Sequence, residues 1–225
     1  MTLISADREL EAHLAATTEE RLADFQAFLR FPSIGALPAH AADVRACATW
    51  LAQALTAAGL EHAEVSDTGG QPVVYADWLH AVGAPTVIVY GHYDVQPVDP
   101  LDLWTSPPFE PVVVDGRMLA RGAADDKGQI HAHLMAAAAL LATRGRLPVN
   151  VRYVFEGEEE SSSAHLAGWL EANRGRLGAD AVIISDTGFF EGNLPSLTMS
   201  LRGLMYAQID VVGPPIDLHS GSHGG

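Results

Sequence analysis

The chain of 225 residues carries a formal net charge of −15 at pH 7, with an isoelectric point near 4.9. This acidity argues against nucleic acid or an anionic membrane surface as a partner. The hydrophobic content of 48% and the mean hydropathy of +0.11 are ordinary for a water-soluble globular protein that buries a core.

Cysteine usage and the N-terminal sequence both indicate a reducing compartment. Cys47 is the only cysteine, so no intrachain disulfide can form. Residues 1–8 lack the basic segment and apolar core of a signal peptide. The alanine- and leucine-rich stretch around 134–142 is too short to cross a bilayer. We therefore predict a cytoplasmic protein that does not bind membranes.

The first part of the chain is predicted to form two helices and then short strands. Helical periodicity covers residues 7–30 and 41–59. Strands are predicted at 61–66, 72–79 and 86–90.

A loop and a hairpin are predicted next. Residues 96–111 are rich in proline, which is typical of an irregular surface excursion. The Asp-Gly pair at 115–116 predicts a tight turn joining 112–114 to 118–121.

Helices and strands then alternate, with helices predicted at 127–143 and 163–174 and strands at 149–155 and 180–184. This alternation predicts a layered α/β domain. After residue 195 the pattern changes to consecutive strands, 197–202 and 204–212, without an intervening helix. We interpret that change as the entry into a second domain.

Four short polar clusters lie at 91–94, 124–128, 158–160 and 185–186, and three of them follow apolar, β-branched runs. Such runs are typical of buried parallel strands, and ligands of open α/β sheets bind beyond the carboxyl ends of those strands. We therefore expect the clusters to converge in space. One histidine with several carboxylates is a suitable donor set for a hydrolytic metal centre.

Each cluster taken alone also has a purely structural interpretation. His92 and Asp94 could satisfy each other in a turn. Asp125 could simply stabilise the start of a helix, and Asp186 could belong to an ordinary strand-to-loop turn. The three glutamates at 158–160 are harder to explain in this way, because adjacent carboxylates repel one another at the mouth of a buried sheet. A bound cation is the simpler compensation, with one glutamate as a ligand and a neighbour as a general base.

Six motifs, taken together and in order, resemble those of the co-catalytic di-zinc exopeptidases and deacylases. This family includes carnosinase-type dipeptidases, aminoacylases, acetylornithine deacetylases and glutamate carboxypeptidases. The motifs lie at 91–97, 104–109, 122–128, 156–160, 185–186 and 217–221. The first three resemble the dipeptidase branch more than the deacylase branches.

The resemblance implies a domain organisation and a homodimer. Residues 1–195 would form a layered α/β/α catalytic domain that downstream sequence completes. Residues 196–225 would begin an α/β sandwich, which acts as a lid and dimerisation domain.

The resemblance also implies two bound divalent ions, Zn²⁺ foremost, with Mn²⁺ or Co²⁺ as alternatives. His92 and Asp186 would bind one ion and Glu160 the other, while Asp125 would bridge the two. Asp94 would orient His92 by accepting a hydrogen bond from its second ring nitrogen.

Two further roles are implied by the resemblance. Glu159 would be the general base that activates a metal-bridging water and later protonates the leaving amine. His219 would stabilise the tetrahedral oxyanion. The run of glutamates leaves the register open, since Glu158 and Glu159 could form the working pair, but the serines at 161–163 favour Glu159 and Glu160.

We predict from this resemblance a metallopeptidase that cleaves dipeptides or small peptides. Deacylation of an N-acyl amino acid by the same chemistry is one alternative, and a non-catalytic fragment acting as a binding module is another. The family has a further metal-ligand histidine and substrate-carboxylate residues downstream of the motif at 217–221. We therefore expect these 225 residues to be part of a longer polypeptide and inactive alone.

Overall fold

The structure is a computed structural model that describes residues 8–189, 194–212, 219 and 221. The chain divides into two units, Met1–Gly188 and Phe189–Gly225. The domain boundary predicted at residue 195 stays a prediction.

In the described part of the first unit, seven strands form two sheets. They are β1 Glu61–Ser66, β2 Val73–Trp78, β3 Thr86–His92, β4 Val112–Val114, β5 Arg117–Leu119, β6 Asn150–Glu156 and β7 Ala181–Ile184. Five of them form a mixed sheet in the order β1-β2-β6-β3-β7, and β4 and β5 form a separate hairpin. The strands β3, β6 and β7 are parallel, whereas β2 is antiparallel to both β1 and β6.

Among the described residues, five α-helices accompany the sheet: α1 Arg8–Ala16, α2 Thr18–Leu29, α3 Ala41–Ala57, α4 Lys127–Arg144 and α5 Leu166–Ala172. Short 3-10 helices lie at Pro38–His40, Leu101–Leu103, Glu159–Ser161 and Arg174–Arg176. Within the described part of the chain, no helix has both the length and the apolar character needed to span a bilayer.

Strand β2 shows how helices cover both faces of the sheet. Val74 and Ala76 point to one face, where they join the main core with residues of α2, α3 and α4. Val73 and Tyr75 alternate with them and pack on the other face, against Trp169 of α5. The predicted α/β class is therefore confirmed.

Helix α3 supplies much of the core through one apolar face. Val44, Ala48, Leu51 and Leu55 recur every three or four residues and are fully buried. The helix ends before Gly59, whose φ of +90° is a left-handed conformation that favours glycine.

Two predicted helices differ from those observed. The range 7–30 is divided into α1 and α2 at Thr17, whose hydroxyl donates a hydrogen bond to the His13 carbonyl oxygen at 2.8 Å. The helix predicted at 163–174 is shorter and begins at Leu166. Ser162 and Ser163 have φ values of +81° and +49°, which a right-handed helix cannot include.

The predicted hairpin is confirmed. Asp115 and Gly116 have φ values of +50° and +74°, as a tight turn between two strands requires.

The prediction that residues 181–184 are a buried strand is only partly correct. These residues do pair in parallel with β3, but they form the edge of the sheet. All four are exposed, with Val182 at 57% and Ile184 at 60%. A sequence pattern cannot tell an edge strand from a central one, because both carry the same apolar residues.

The second unit lacks the two strands predicted at 197–202 and 204–212. Described residues 195–212 have no regular secondary structure, and their large apolar side chains are exposed, including Leu197 and Tyr206. Two neighbouring strands are marginal without a third strand or a helix to cover them, and the described residues of this unit supply neither.

Candidate metal centre

The polar clusters of the first unit meet at the carboxyl end of the sheet. His92 is the last residue of β3 and lies beside Glu156, the last residue of β6. The 3-10 helix Glu159–Ser161 follows β6, and Asp186 follows β7 by two residues. Asp125 lies two residues before α4. The convergence expected from the strand-end pattern is present.

The His92 imidazole is fully buried and faces three carboxylates. Its Nε2 lies 3.0 Å from Asp125 Oδ1, 3.7 Å from Asp186 Oδ2 and 4.0 Å from Glu159 Oε2. Nevertheless, Nε2 has no hydrogen-bond partner of suitable geometry in the described part of the chain. A buried ring nitrogen without a partner, surrounded by carboxylate oxygens, suits coordination of a cation better than a hydrogen-bond network.

The His92 side chain belongs to two groups of possible metal ligands. One consists of His92, Glu159 and Asp186, and the other of His92, Asp125 and Glu160. In each group the ligand atoms lie within 4.8 Å of one another. We call these five residues the candidate metal centre; their nitrogen and oxygen donors fit Zn²⁺ or a similar divalent ion. Glu159 belongs to one group and Glu160 to the other, so the division of roles between them stays a prediction.

The electrostatics of the centre also favour a cation. Burial opposes protonation of His92, but Asp94, Asp126 and Glu159 together raise its pKa to about 10. Desolvation is the largest cause that raises the pKa of both Glu159 and Glu160, and repulsion by neighbouring carboxylates adds to it. A divalent cation would compensate this excess of negative charge.

Asp94 contacts His92 through both its backbone and its side chain, and its predicted role in orienting His92 stays a prediction. The shorter contact of His92 Nδ1 is with the backbone carbonyl oxygen of Asp94, at 3.1 Å, and the carboxylate lies at 3.4 Å. The buried carboxylate also accepts hydrogen bonds from the backbone N–H groups of Glu159 and Glu160, both at 3.2 Å. Asp94 therefore contacts the two glutamates as well as the histidine.

Glu158 lies outside both ligand groups. Its carboxylate accepts hydrogen bonds from the backbone N–H of Gln71 at 2.9 Å and of His165 at 3.2 Å. The His165 ring is also within 3.0 Å. These contacts give Glu158 a structural role, which favours Glu159 and Glu160 as the functional pair.

Sequence reasoning did not assign a role to Asp126. This carboxylate is 1% exposed, and its Oδ2 accepts a hydrogen bond from the His92 backbone N–H at 3.1 Å. Desolvation by burial is the main cause that raises its pKa to about 7. The only signal in the sequence was its position next to Asp125.

Two other side chains contact a predicted ligand or its neighbour. Gln96 donates from Nε2 to Glu160 Oε2 at 2.6 Å. His133 of α4 has Nε2 2.7 Å from the hydroxyl oxygen of Ser185, next to Asp186. Nothing in the sequence linked His133 to a residue so far along the chain.

Lys127 fixes the start of α4, where the aspartate pair lies. Its ammonium is buried and donates to the carbonyl oxygens of Phe28 at 3.2 Å and Phe31 at 2.8 Å. It also lies 5.2 Å from the centroid of the Phe28 ring. The end of α2 is thereby tied to the first turn of α4.

His219 belongs to the second unit and is exposed. Its Nδ1 accepts a hydrogen bond from the Gly221 backbone N–H at 3.2 Å. Its implied role in oxyanion stabilisation stays a prediction. The rest of the motif at 217–221, residues 217, 218 and 220, lies outside the described residues.

The sequence profile of peptidase family M20/M25/M40 matches residues 88–201, just over half of the chain. The chain therefore belongs to this peptidase family, and the resemblance predicted from the motifs is confirmed. Peptidases of this family are metal-dependent, in agreement with the donor set at the carboxyl end of the sheet.

Among curated proteins, the chain is 37% identical over 156 residues to the Beta-Ala-His dipeptidase of Homo sapiens, covering 68% of this chain and 31% of that protein. It is 39% identical over 170 residues to the Cys-Gly metallodipeptidase of Schizosaccharomyces pombe, covering 74% of this chain and 36% of that protein. The chain thus spans about a third of these relatives.

Among solved structures, human carnosine dipeptidase 1 superposes with a TM-score of 0.75 at 28% identity, covering 81% of this chain and 41% of that chain. The di-peptidase Dug1p of Saccharomyces cerevisiae superposes with a TM-score of 0.74 at 25% identity, with the same coverage of both chains. The fold of the first unit is therefore that of M20 peptidase catalytic domains.

Proposed function

We propose that the protein carrying this chain is a metal-dependent dipeptidase. The observation that carries the proposal is the buried His92 Nε2, which has no hydrogen-bond partner within the described residues and faces the carboxylates of Asp125, Glu159 and Asp186. The relatives named as dipeptidases support the substrate class.

In this proposal, the ligands of two divalent cations are His92, Asp125, Glu160 and Asp186. Zn²⁺ is the first choice, since a donor set of one imidazole and several carboxylates suits it. Bound cations supply Lewis acidity, which polarises the scissile carbonyl and lowers the pKa of water.

Glu159 acts as the general base. Desolvation raises its pKa, and repulsion from Glu160 adds to this, while His92 opposes it. A carboxylate with a raised pKa is a better proton acceptor near neutral pH than an ordinary one. Glu159 would take a proton from the attacking water and deliver it to the leaving amine.

Three further parts of the proposal concern features outside the candidate metal centre. His219 stabilises the oxyanion, and the segment from residue 196 onwards contributes to a lid through which two copies dimerise. We propose a cytoplasmic location, based on the single cysteine.

The test uses the protein expressed from its intact gene, stripped of metal and reconstituted with Zn²⁺. Hydrolysis of Cys-Gly and β-Ala-His is followed by the release of free amino acids, with N-acetylmethionine as the competing substrate. We expect release from a dipeptide in the zinc-loaded protein and none after chelation.

Other outcomes select the alternatives. Release of acetate from N-acetylmethionine without dipeptide cleavage would identify a deacylase of the same family. Less than one bound metal per chain, together with no hydrolysis of any substrate, would identify a non-catalytic binding module.

A further inference from the structure

A second cluster of possible metal ligands lies at the other end of the same sheet. It consists of Glu61, His62 and Asp77, and we call it the β1–β2 cluster; its ligand atoms lie within 4.8 Å of one another. Asp77 lies beside Arg152 near the start of β6, whereas His92 lies beside Glu156 at its end. Four residues of strand, about 13 Å, separate these two positions.

The two carboxylates of this cluster face each other across the strands. Glu61 and Asp77 are direct partners in the antiparallel pair of β1 and β2. Side chains at such positions lie on the same face of a sheet, where like charges directly opposite are destabilising. The pairing therefore places two negative charges where a cation would relieve their repulsion.

The backbone turns His62 toward the same two carboxylates. In a regular strand, the residue after Glu61 would point to the opposite face. The register of β1 is interrupted between Glu61 and Glu64, and His62 has a φ of +52°. Irregularities of this kind re-aim side chains. As a result, His62 Nδ1 lies 2.8 Å from Asp77 Oδ1.

Residues around the cluster hold both carboxylates in place. Asp77 is buried, and its Oδ2 accepts a hydrogen bond from the Tyr75 hydroxyl at 2.8 Å, which leaves Oδ1 for the side of His62. Glu61 Oε2 lies 2.9 Å from His80 Nε2. Ligating carboxylates in metal sites are commonly hydrogen-bonded in this way by residues that orient them.

Two positive charges act against a cation at this position, and one of them is Arg152, the cross-strand partner of Asp77. The other is Arg176, which lies over the Tyr75 ring with its guanidinium carbon 4.2 Å from the ring centroid. However, the Arg176 guanidinium forms an ion pair with Glu64, which compensates its charge. The carboxylates of Glu61 and Asp77 then outnumber the one remaining positive charge, that of Arg152, so the local charge still favours a cation.

We propose that Glu61, His62 and Asp77 bind one divalent transition-metal ion of the Zn²⁺ type, with His80 orienting Glu61. One imidazole and two carboxylates are a suitable donor set for such an ion, and the exposure of Glu61 and His62 leaves a position open to water. This site is separate from the candidate metal centre and does not depend on the proposed function.

The experiment measures zinc binding to the metal-free full chain by competition with a chromophoric chelator. The informative variants are His62→Ala and Glu61→Gln, both at exposed positions, so the fold is retained. His40→Ala is the matched control, because His40 Nδ1 lies 2.8 Å from Asp43 Oδ2, the same ion-pair distance, but His40 belongs to no group of three possible metal ligands among the described residues. Circular dichroism in EDTA verifies the fold of each variant.

We expect the wild type and His40→Ala to bind one more Zn²⁺ per chain than His62→Ala. Glu61→Gln should weaken this additional site by at least about tenfold. The imidazole proton signal of His62 is identified by its absence from the NMR spectrum of His62→Ala. Zinc should shift this signal in the wild type. The proposal is overturned if His62→Ala binds as much Zn²⁺ as the wild type, or if the His62 signal does not respond at millimolar zinc.

Discussion

In the core between α3 and the sheet, Leu51, Leu55 and Phe155 are fully buried and surrounded by other apolar side chains. At the carboxyl end of the same sheet, His92 is equally buried, but its neighbours are carboxylates. The core gains free energy from burial, whereas the candidate metal centre collects like charges and polar atoms without partners.

This difference indicates that stability and function depend on separate residues of one fold. Removing a core side chain should lower the free energy of unfolding and leave the chemistry of the folded molecules intact. Neutralising a carboxylate of the centre should have the opposite effect, because it reduces repulsion but removes a functional group. Substitutions in the two regions can test the distinction directly.

We expect the largest effect in Glu159→Gln, on the turnover number. If Glu159 is the general base, the variant should lower kcat for dipeptide hydrolysis by about 10²–10⁴-fold, since positioned acid–base groups contribute that much. The free energy of unfolding should not fall, because the substitution removes one of several mutually repelling charges. Steady-state kinetics and urea unfolding of the protein from the intact gene measure both quantities.

The neighbouring residue provides the control for this variant. Glu158→Gln removes the same charge from a carboxylate that bonds to Gln71 and His165 instead of facing His92. Its kcat should stay within about tenfold of the wild type. A larger loss in Glu158→Gln than in Glu159→Gln would show that the working pair is Glu158 and Glu159.

Leu55→Ala tests the core, where we expect a loss of stability and no change in kcat per folded molecule. Leu55 is fully buried in the main core, so the variant should lose about 2–5 kcal/mol of unfolding free energy through lost burial and the cavity left behind. Leu103→Ala is the control, because Leu103 is 77% exposed and its truncation should change little. A change in kcat per folded molecule of Leu55→Ala would contradict the separation of the two regions.

His131 is a histidine that should behave as a core residue. It stacks on Phe25 with ring centroids 5.0 Å apart, and its buried Nε2 has no hydrogen-bond partner among the residues described. Burial, with a smaller contribution from Arg21, lowers its pKa to about 4. The unfolded chain therefore binds a proton at a higher pH, near 6.5, than the folded protein does.

The neutral His131 ring should make its full contribution to the free energy of unfolding above pH 6.5. This contribution should be lost as the pH falls toward 4. The loss corresponds to about 3 kcal/mol, at roughly 1.36 kcal/mol for each pH unit between the two pKa values. His131→Phe should retain this stability, so its advantage over the wild type should grow as the pH falls. Urea unfolding at pH 7 and pH 4.5 measures the difference; an equal difference at both pH values would be inconsistent with a buried neutral His131.

The sequence predicted those parts of the fold that depend on local pattern. The spacing of Val44, Leu51 and Leu55 predicted α3, and Asp115-Gly116 predicted the hairpin, because periodicity and turn chemistry are properties of a few consecutive residues. The burial of β7 was not predictable, since it depends on which segments pack beside the strand.

In the candidate metal centre, too, the sequence predicted which clusters converge but not the individual contacts between distant residues. The position of polar residues after strands predicted that His92 and Asp186 would converge. The contact of Gln96 with Glu160 and that of His133 with Ser185 join residues far apart in the chain. Such contacts depend on the register of the folded sheet and on side-chain conformation, for which a single sequence provides no signal.

The smallest expected effect concerns Asp94, which links the two regions: it is fully buried like the core but serves the centre. Both its oxygens accept backbone N–H groups, from Glu159 and Glu160. In Asp94→Asn, the amide nitrogen would face one of these N–H groups and displace it. Because residues that orient ligands typically contribute 10–100-fold, zinc affinity should fall by about that factor.

Asp43→Asn is the control for this last variant, because Asp43 is exposed on α3 and pairs with His40, away from the candidate metal centre. Competition with a chromophoric chelator measures zinc affinity in both variants. A fall in affinity in Asp94→Asn alone would show that a buried carboxylate can act on the centre without facing the cation. Equal affinity in the two variants would mean that the positions of Glu159 and Glu160 do not depend on Asp94, and that the neighbouring backbone alone holds them.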